Sequence, residues 1–228
     1  MFRNTSQMMD AIKIVARNLG DLNDQVVYVG GAVAGFYADD QGAADVRPTK
    51  DVDIVLEIAS LLELENIRQK LAERGIHFAQ NEKVMCRFTC QHILVDVMAT
   101  KEIGWAPANP WFKSGFDRAE VRNLDDVSIK IMSLPYYLAS KFAAFHDRGS
   151  DPRTSHDFED IVYVLDNRTT LINDILNSER QVKQYLLAEL STILKDKLYQ
   201  EALLAHLEPA TQTKRFEILI QKIKEITG

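Results

Sequence analysis

The sequence predicts an α+β protein: a small mixed β-sheet flanked by helices, followed by a C-terminal helical bundle. Two observations carry that expectation. Short β-branched runs alternate with amphipathic stretches over residues 1–130, whereas from about Pro135 apolar residues recur at helical spacing with few strand signals. We therefore expect an α/β domain over 1–130 and a helical domain over 131–228. The 228 residues are 46% hydrophobic and 26% charged, enough apolar side chains for a real core and unlike a disordered chain.

Taken in order, Ser6 is placed to cap a first helix running to about Gly20, with Met9, Ile12, Val15 and Leu19 on one face. Gln25–Val29 reads as a strand, followed at once by Gly30-Gly31 and a short apolar helix over 32–38. Residues 39–50 form a polar loop, and 51–58 the clearest strand. Ser60 and Glu63 make a capping box for a helix ending at Gly75, with Leu61, Leu64, Ile67 and Leu71 as its buried face. Residues 76–79, 85–90 and 92–98 read as strands, the last two as a hairpin. Pro135 follows Ser133 at a helix start that brings Lys141 about two turns in. Leu186, Leu187, Leu190, Ile193, Leu194 and Leu198 read as bundle core. Phe216, Ile220, Ile223 and Ile226 form the apolar face of a last helix.

Composition excludes several functions. With 27 Lys+Arg against 33 Asp+Glu the net charge is −6, so the chain is no basic nucleic-acid wrapper. The stretch after Met1-Phe2-Arg3-Asn4 is polar, and no segment approaches the roughly 20 apolar residues of a membrane span. A soluble, cytoplasmic protein without membrane partners is expected. Cys86 and Cys90 lack a second ligand pair and read as buried apolar side chains. His146 and His156 likewise lack spaced partners.

The chemistry lies in the acids. Along a strand, alternation puts Asp51 and Asp53 on one face and Val52 and Ile54 on the other. Two such carboxylates repel unless a cation lies between them, and Mg²⁺ binds one or two carboxylates together with substrate phosphates. A solvated strand end is the plainer alternative. Asp96, alone in the apolar run His92–Met98, is costly to bury without a partner. If its strand neighbours the Asp51 strand, the three acids converge at a metal site; otherwise Asp96 faces solvent. Gly30 and Gly31, lacking a Cβ before a helix start, let backbone N–H groups approach a phosphate, or simply turn the chain. Neither a Rossmann nor a P-loop fingerprint is present.

Gly30-Gly31, then Arg47-Pro48-Thr49-Lys50-Asp51-Val52-Asp53, then Asp96, resemble the nucleotidyltransferase fold of the polymerase-β-like superfamily. The Arg-x-Thr-x-Asp-Val-Asp form is closest to the AbiEii/AbiGii toxin-like branch. Tyr137–Lys141, Asp147-Arg148, Asp151-Pro152-Arg153 and Asp157–Ile161 are similar to the same branch, so the resemblance spans residues 28–162. It implies a magnesium-dependent transfer of a nucleoside monophosphate from an NTP to an acceptor hydroxyl, tRNA or another RNA, within a toxin–antitoxin or phage-defence system. Asp51, Asp53 and Asp96 would bind Mg²⁺, with Asp96 also helping to deprotonate the acceptor. Gly30, Gly31, Thr49, Lys141, Asp157 and Asp160 would bind the nucleotide, with Asp157 also holding Lys141 in place. A cognate antitoxin is the implied protein partner. A nucleotide-binding module without turnover, or an antitoxin-like partner, is the rival reading. One stretch departs from the pattern, the acidic loop Asp39-Asp40-Gln41-Gly42.

For several residues two readings stand side by side. Lys141 covers the core or meets a phosphate. Asp157 and Asp160, with Thr154 as N-cap, serve the helix start or the site. Arg148 and Arg153 are surface charges or acceptor contacts. Trp105, Pro107, Pro110 and Trp111 pack on the core or stack on a base.

Overall fold

The computed structural model describes residues 3–80 and 84–228. Met1 and Phe2, part of the stretch read for an export signal, lie outside them. The chain forms two compact units. One comprises the chain up to Val33 with Arg47–Ser133, the other Ala34–Val46 with Leu134–Gly228. A single cut near residue 130 therefore misses Ala34–Val46, which groups with the helical unit.

In the first unit, α1 (Arg3–Leu19) starts ahead of Ser6, so Ser6 lies inside the helix and does not cap it. Its buried stripe is Ile12, Val15, Ala16 and Leu19. A 3-10 segment (Gly20–Gln25) leads into β1 (Val26–Val29), all of whose residues are buried. An α-helix was expected after the glycines. Gly31–Tyr37 instead forms a 3-10 segment, the tighter winding used for short connections. Then follow β2 (Asp51–Leu56), α2 (Leu61–Glu73), β3 (Ile76–Phe78), β4 (Arg87–Cys90) and β5 (Ile93–Ala99). A short α3 (Phe112–Asp117) precedes β6 (Ala119–Leu124) and β7 (Val127–Met132).

Among the described residues the strands form one mixed sheet, ordered β3-β4-β5-β2-β1-β7-β6. β2 runs parallel to β5 and β1 parallel to β7; the remaining pairs are antiparallel. The Ser60 hydroxyl accepts from the Glu63 N–H, as a capping box requires, whereas the Glu63 carboxylate reaches one residue past the cap to the Ala59 N–H at 2.7 Å. Leu61, expected on the buried face of α2, is 63% exposed; Leu64, Ile67 and Leu71 are buried. Sitting at the first position of the helix, it precedes the turn that packs on the sheet. The β6–β7 hairpin escaped the sequence reading, although Asp125-Asp126 makes a tight turn, with Asp125 at φ 53°, ahead of the alternating Val127, Ile129 and Ile131.

The second unit is helical: α4 (Leu134–Arg148), α5 (His156–Asn167), α6 (Leu171–Leu176), α7 (Arg180–Lys195), α8 (Lys197–His206) and α9 (Gln212–Thr227). Its core includes Phe142, Phe145, Phe158, Leu186, Leu190 and Ile193, with Leu219, Ile223 and Ile226 from α9. Leu198, assigned to that core, is exposed at the start of α8, and Leu187 and Leu194 are half-buried. α5 is capped by Ser155, whose hydroxyl accepts from the Phe158 N–H, and not by Thr154. Among the described residues no helix is long and apolar enough to cross a membrane.

The acidic loop is an anchor of this unit. The Asp39 and Asp40 N–H groups both donate to the Asn167 carbonyl at the end of α5. Arg168 reaches Asp39 and Asp174, while Arg215 of α9 bonds Asp40, Asp166 and Asn167. Lys222 donates to the Asp166 carbonyl at 2.9 Å. These contacts satisfy carbonyls that the last turn of a helix leaves without partners.

Candidate active site

Pairing in the sheet builds the site. On β2, Asp51 and Asp53 are half-buried while Val52 and Ile54 are buried, as alternation requires. On β5, Asp96 is half-buried between buried Val95 and Val97. The parallel register sets Asp53 opposite Asp96, so three carboxylates share one face of two neighbouring strands.

The glycine turn touches this face directly. Gly30 has φ +71°, and a Cβ on it would lie 1.7 Å from Asp53 Oδ2. The carboxylate of Asp53 thus occupies the space that any other residue at position 30 would fill. Gly31 is buried and opens the 3-10 segment. Thr49, from the loop before β2, donates its hydroxyl to Asp51 Oδ1 at 2.8 Å.

Sequence reasoning missed one member of the site. Arg87 on β4 lies opposite Asp96 in the antiparallel β4–β5 pair. Its Nε donates to Asp96 Oδ1 at 2.7 Å and one terminal nitrogen to Asp96 Oδ2 at 2.7 Å, a bidentate fork. The same nitrogen reaches Asp51 Oδ2 at 2.9 Å. The expected strands 85–90 and 92–98 leave Gln91 alone as the turn and count Arg87 opposite Val95; the two-residue turn Gln91-His92 shifts the register by one, through 90/93, 89/94 and 88/95, to 87/96.

Hard carboxylate oxygens on a half-exposed face suit Mg²⁺ in kind. Among the described residues, however, no three His, Cys, Asp or Glu side chains are grouped as a ready-made metal site. A guanidinium bridges Asp51 and Asp96 in this arrangement. Cys86 and Cys90 are free and buried. Burial first, then the neighbouring Asp96 carboxylate, pushes the Cys86 thiol up to about 11, so it stays protonated at neutral pH.

The other residues singled out in the sequence belong mostly to the helical unit. Lys141 on α4 is buried and bonds two carboxylates of α5, Asp157 Oδ1 at 3.1 Å and Asp160 Oδ2 at 2.7 Å. Arg148 closes on the other oxygen of Asp157. Asp157 therefore binds cations and does not cap its helix. Arg153 forks onto Asp151 at 3.1 and 2.7 Å and is tied up locally. Trp111 is buried; Trp105 leans on Phe88 at 5.3 Å and donates to Glu65. His146 pairs with Glu189 and His156 with Glu159.

Among curated proteins, no sequence matches the chain. A solved structure, that of an antigenic nucleotidyltransferase-like protein from Paracoccidioides brasiliensis, superposes with a TM-score of 0.50 at 16% identity, covering 92% of this chain and 97% of that one. At that identity the likeness speaks for the fold, a mixed sheet with helices of nucleotidyltransferase type. Residues 42–222 match the family described as nucleotidyl transferase AbiEii toxin, type IV toxin–antitoxin system. The match takes in the Asp51–Asp53 strand, Arg87, Asp96, Lys141 and the Asp157–Asp160 pair, and the chain is a nucleotidyltransferase belonging to the AbiEii toxin family.

Proposed function

We propose that the enzyme moves a nucleoside monophosphate from an NTP to an acceptor hydroxyl, with Mg²⁺ at Asp51, Asp53 and Asp96 and a tRNA as acceptor. The observation that carries this reading is the β2–β5 register, which sets Asp53 opposite Asp96 on the face shared with Asp51, beside the Gly30 turn. Bound there, Mg²⁺ would neutralise charge developing on the phosphates.

The chain's own groups have separable tasks. Gly30 and Gly31, without side chains of their own, let the backbone of the turn come close to the triphosphate. Thr49 orients Asp51 through its hydroxyl. Asp96 accepts the acceptor's proton as the hydroxyl oxygen attacks the α-phosphorus; the bond from that phosphorus to the bridging oxygen breaks, and pyrophosphate leaves with the electron pair. Lys141 serves the nucleotide phosphates, held in place by Asp157 and Asp160. In a chain of net charge −6, recognition of RNA rests on a local contact and not on broad attraction.

The test is a transfer assay with each α-labelled NTP, magnesium and total tRNA, comparing wild type with Asp53→Asn. Label on RNA with wild type alone is the expected result and reports the preferred base as well. Label on protein would replace the acceptor; no transfer to either, despite NTP binding, would overturn the reading. Lys141→Ala should weaken NTP binding, and unchanged affinity would return this lysine to a purely structural role.

A further inference from the structure

Arg87 has no part in the reaction outlined above, yet it makes the strongest polar contacts on the acidic face. Both oxygens of Asp96 accept from its fork, and it also takes Oδ2 of Asp51, whose Oδ1 accepts from Thr49. Asp51 and Asp96 thus share one guanidinium across the β2–β5 pair. A divalent ion ligated by Asp51 and Asp96 would meet a guanidinium on the same oxygens. At such distances two cations repel strongly.

We propose that Arg87 is a resident counter-cation of the carboxylate face, displaced when a divalent ion enters with the nucleotide, and that it thereby sets the divalent-ion concentration at which the enzyme loads. The inference rests on the magnesium reading above. In the absence of the ion, Arg87 relieves the repulsion between the acids of β2 and β5, which would otherwise oppose the β2–β5 pairing. Its backbone is held by the β4–β5 ladder, so the side chain can leave without breaking the strand. Its side chain retains 16% exposure, so solvent already reaches the guanidinium. A guanidinium freed from a carboxylate also matches a phosphate in charge and in its fork of donors, which lets an incoming triphosphate help draw it away. Arg87 is thus a positioning residue: it acts through the carboxylates of Asp51 and Asp96 and touches neither nucleotide nor acceptor.

Mn²⁺ binding to the full chain, followed by electron paramagnetic resonance without turnover, tests this. Arg87→Gln keeps length and polarity and removes the charge. It should bind Mn²⁺ at least about tenfold more tightly than wild type, since a like charge beside the ion is gone. Arg87→Lys should stay near wild type, and adding Asp53→Asn to Arg87→Gln should abolish the gain. Equal or weaker binding by a folded Arg87→Gln, with wild type still binding, would overturn the gating role and leave the magnesium reading intact. No Mn²⁺ binding by either protein, with or without NTP, would remove both. A second measurement needs no substitution. In wild type, the Arg87 Nε–H resonance should lose its hydrogen-bonded shift when Mg²⁺ and a non-hydrolysable NTP are added together, and an unmoved resonance would also overturn the proposal.

Discussion

The carboxylate face of the sheet and the ion cluster of the helical unit use the same chemistry under different solvation. On the sheet, Asp51, Asp96 and Arg87 keep 27%, 13% and 16% of their side-chain exposure; in the cluster Asp157, Asp160 and Lys141 keep 5%, 2% and 8%. The first holds Asp51 and Asp96 on one shared guanidinium, within reach of water. The second has two acids against Lys141 and Arg148, a balanced set. Where water reaches, a charge pair is weak enough to exchange its partner. Where it does not, removing one partner strands the other. The sheet face is therefore suited to loading and release, and the cluster to holding α4 and α5 in one arrangement.

The largest expected effect breaks the first region chemically while sparing its fold. Asp53→Asn should lower transfer by about 10²–10³-fold or more, with the melting temperature unchanged or slightly raised as repulsion is relieved. A variant transferring at the wild-type rate would end the metal assignment. Next, Lys141→Met should cost about 3–5 kcal/mol in urea unfolding, because Asp157 and Asp160 lose their buried counter-charge. A loss under about 1 kcal/mol would place the cluster in the class of surface pairs.

Gly30→Ala joins geometry to chemistry. The positive φ costs about 1–3 kcal/mol, and the new Cβ displaces the Asp53 carboxylate, so transfer falls as well. Gly75→Ala, at φ +75° with nothing near its missing Cβ, carries the backbone cost alone and should keep its activity. Equal activity losses in the two variants would show that Gly30 serves the turn and not Asp53.

The smallest effect is one of pH. Burial holds the Asp166 carboxyl above its ordinary value of 3.8, and the Arg215 ion pair pulls the other way. A folded pKa raised above the unfolded one gives stability that is complete below 3.8 and lost as pH rises through the folded value. Arg215→Ala removes the opposing pull, so stability should decline more steeply with pH above 3.8 than in wild type. Parallel pH profiles of the two proteins in urea melts would show that Arg215 does not act on Asp166.

Much of the carboxylate face was legible because its rules are local. The alternation of Asp51 and Asp53 follows from strand geometry, the Ser60 cap from a hydroxyl three residues before Glu63, and the β4–β5 hairpin from the runs on either side. Arg87 was missed by one residue of register, because His92 belongs to the turn and not to the strand. The acidic loop was different. Asp40 and Arg215 are separated by 175 residues, and no pattern near either one announces the other. Ser6, Leu61 and Thr154 erred for a related reason: each is a plausible cap or core position locally, and packing moved the boundary.

Taken alone, the sequence determined the periods: which side chains share a face, where a Cβ is missing, and which stretches alternate or wind. Those properties depend on backbone geometry within a few residues. Only the tertiary structure decided which faces meet. The setting of Asp53 beside Asp96, the closing of Asp53 over Gly30, and the burial of Lys141 between Asp157 and Asp160 are outcomes of strand order and helix packing. They join segments distant along the chain, whose loop-closure cost is met by the core as a whole, so no local pattern could encode them.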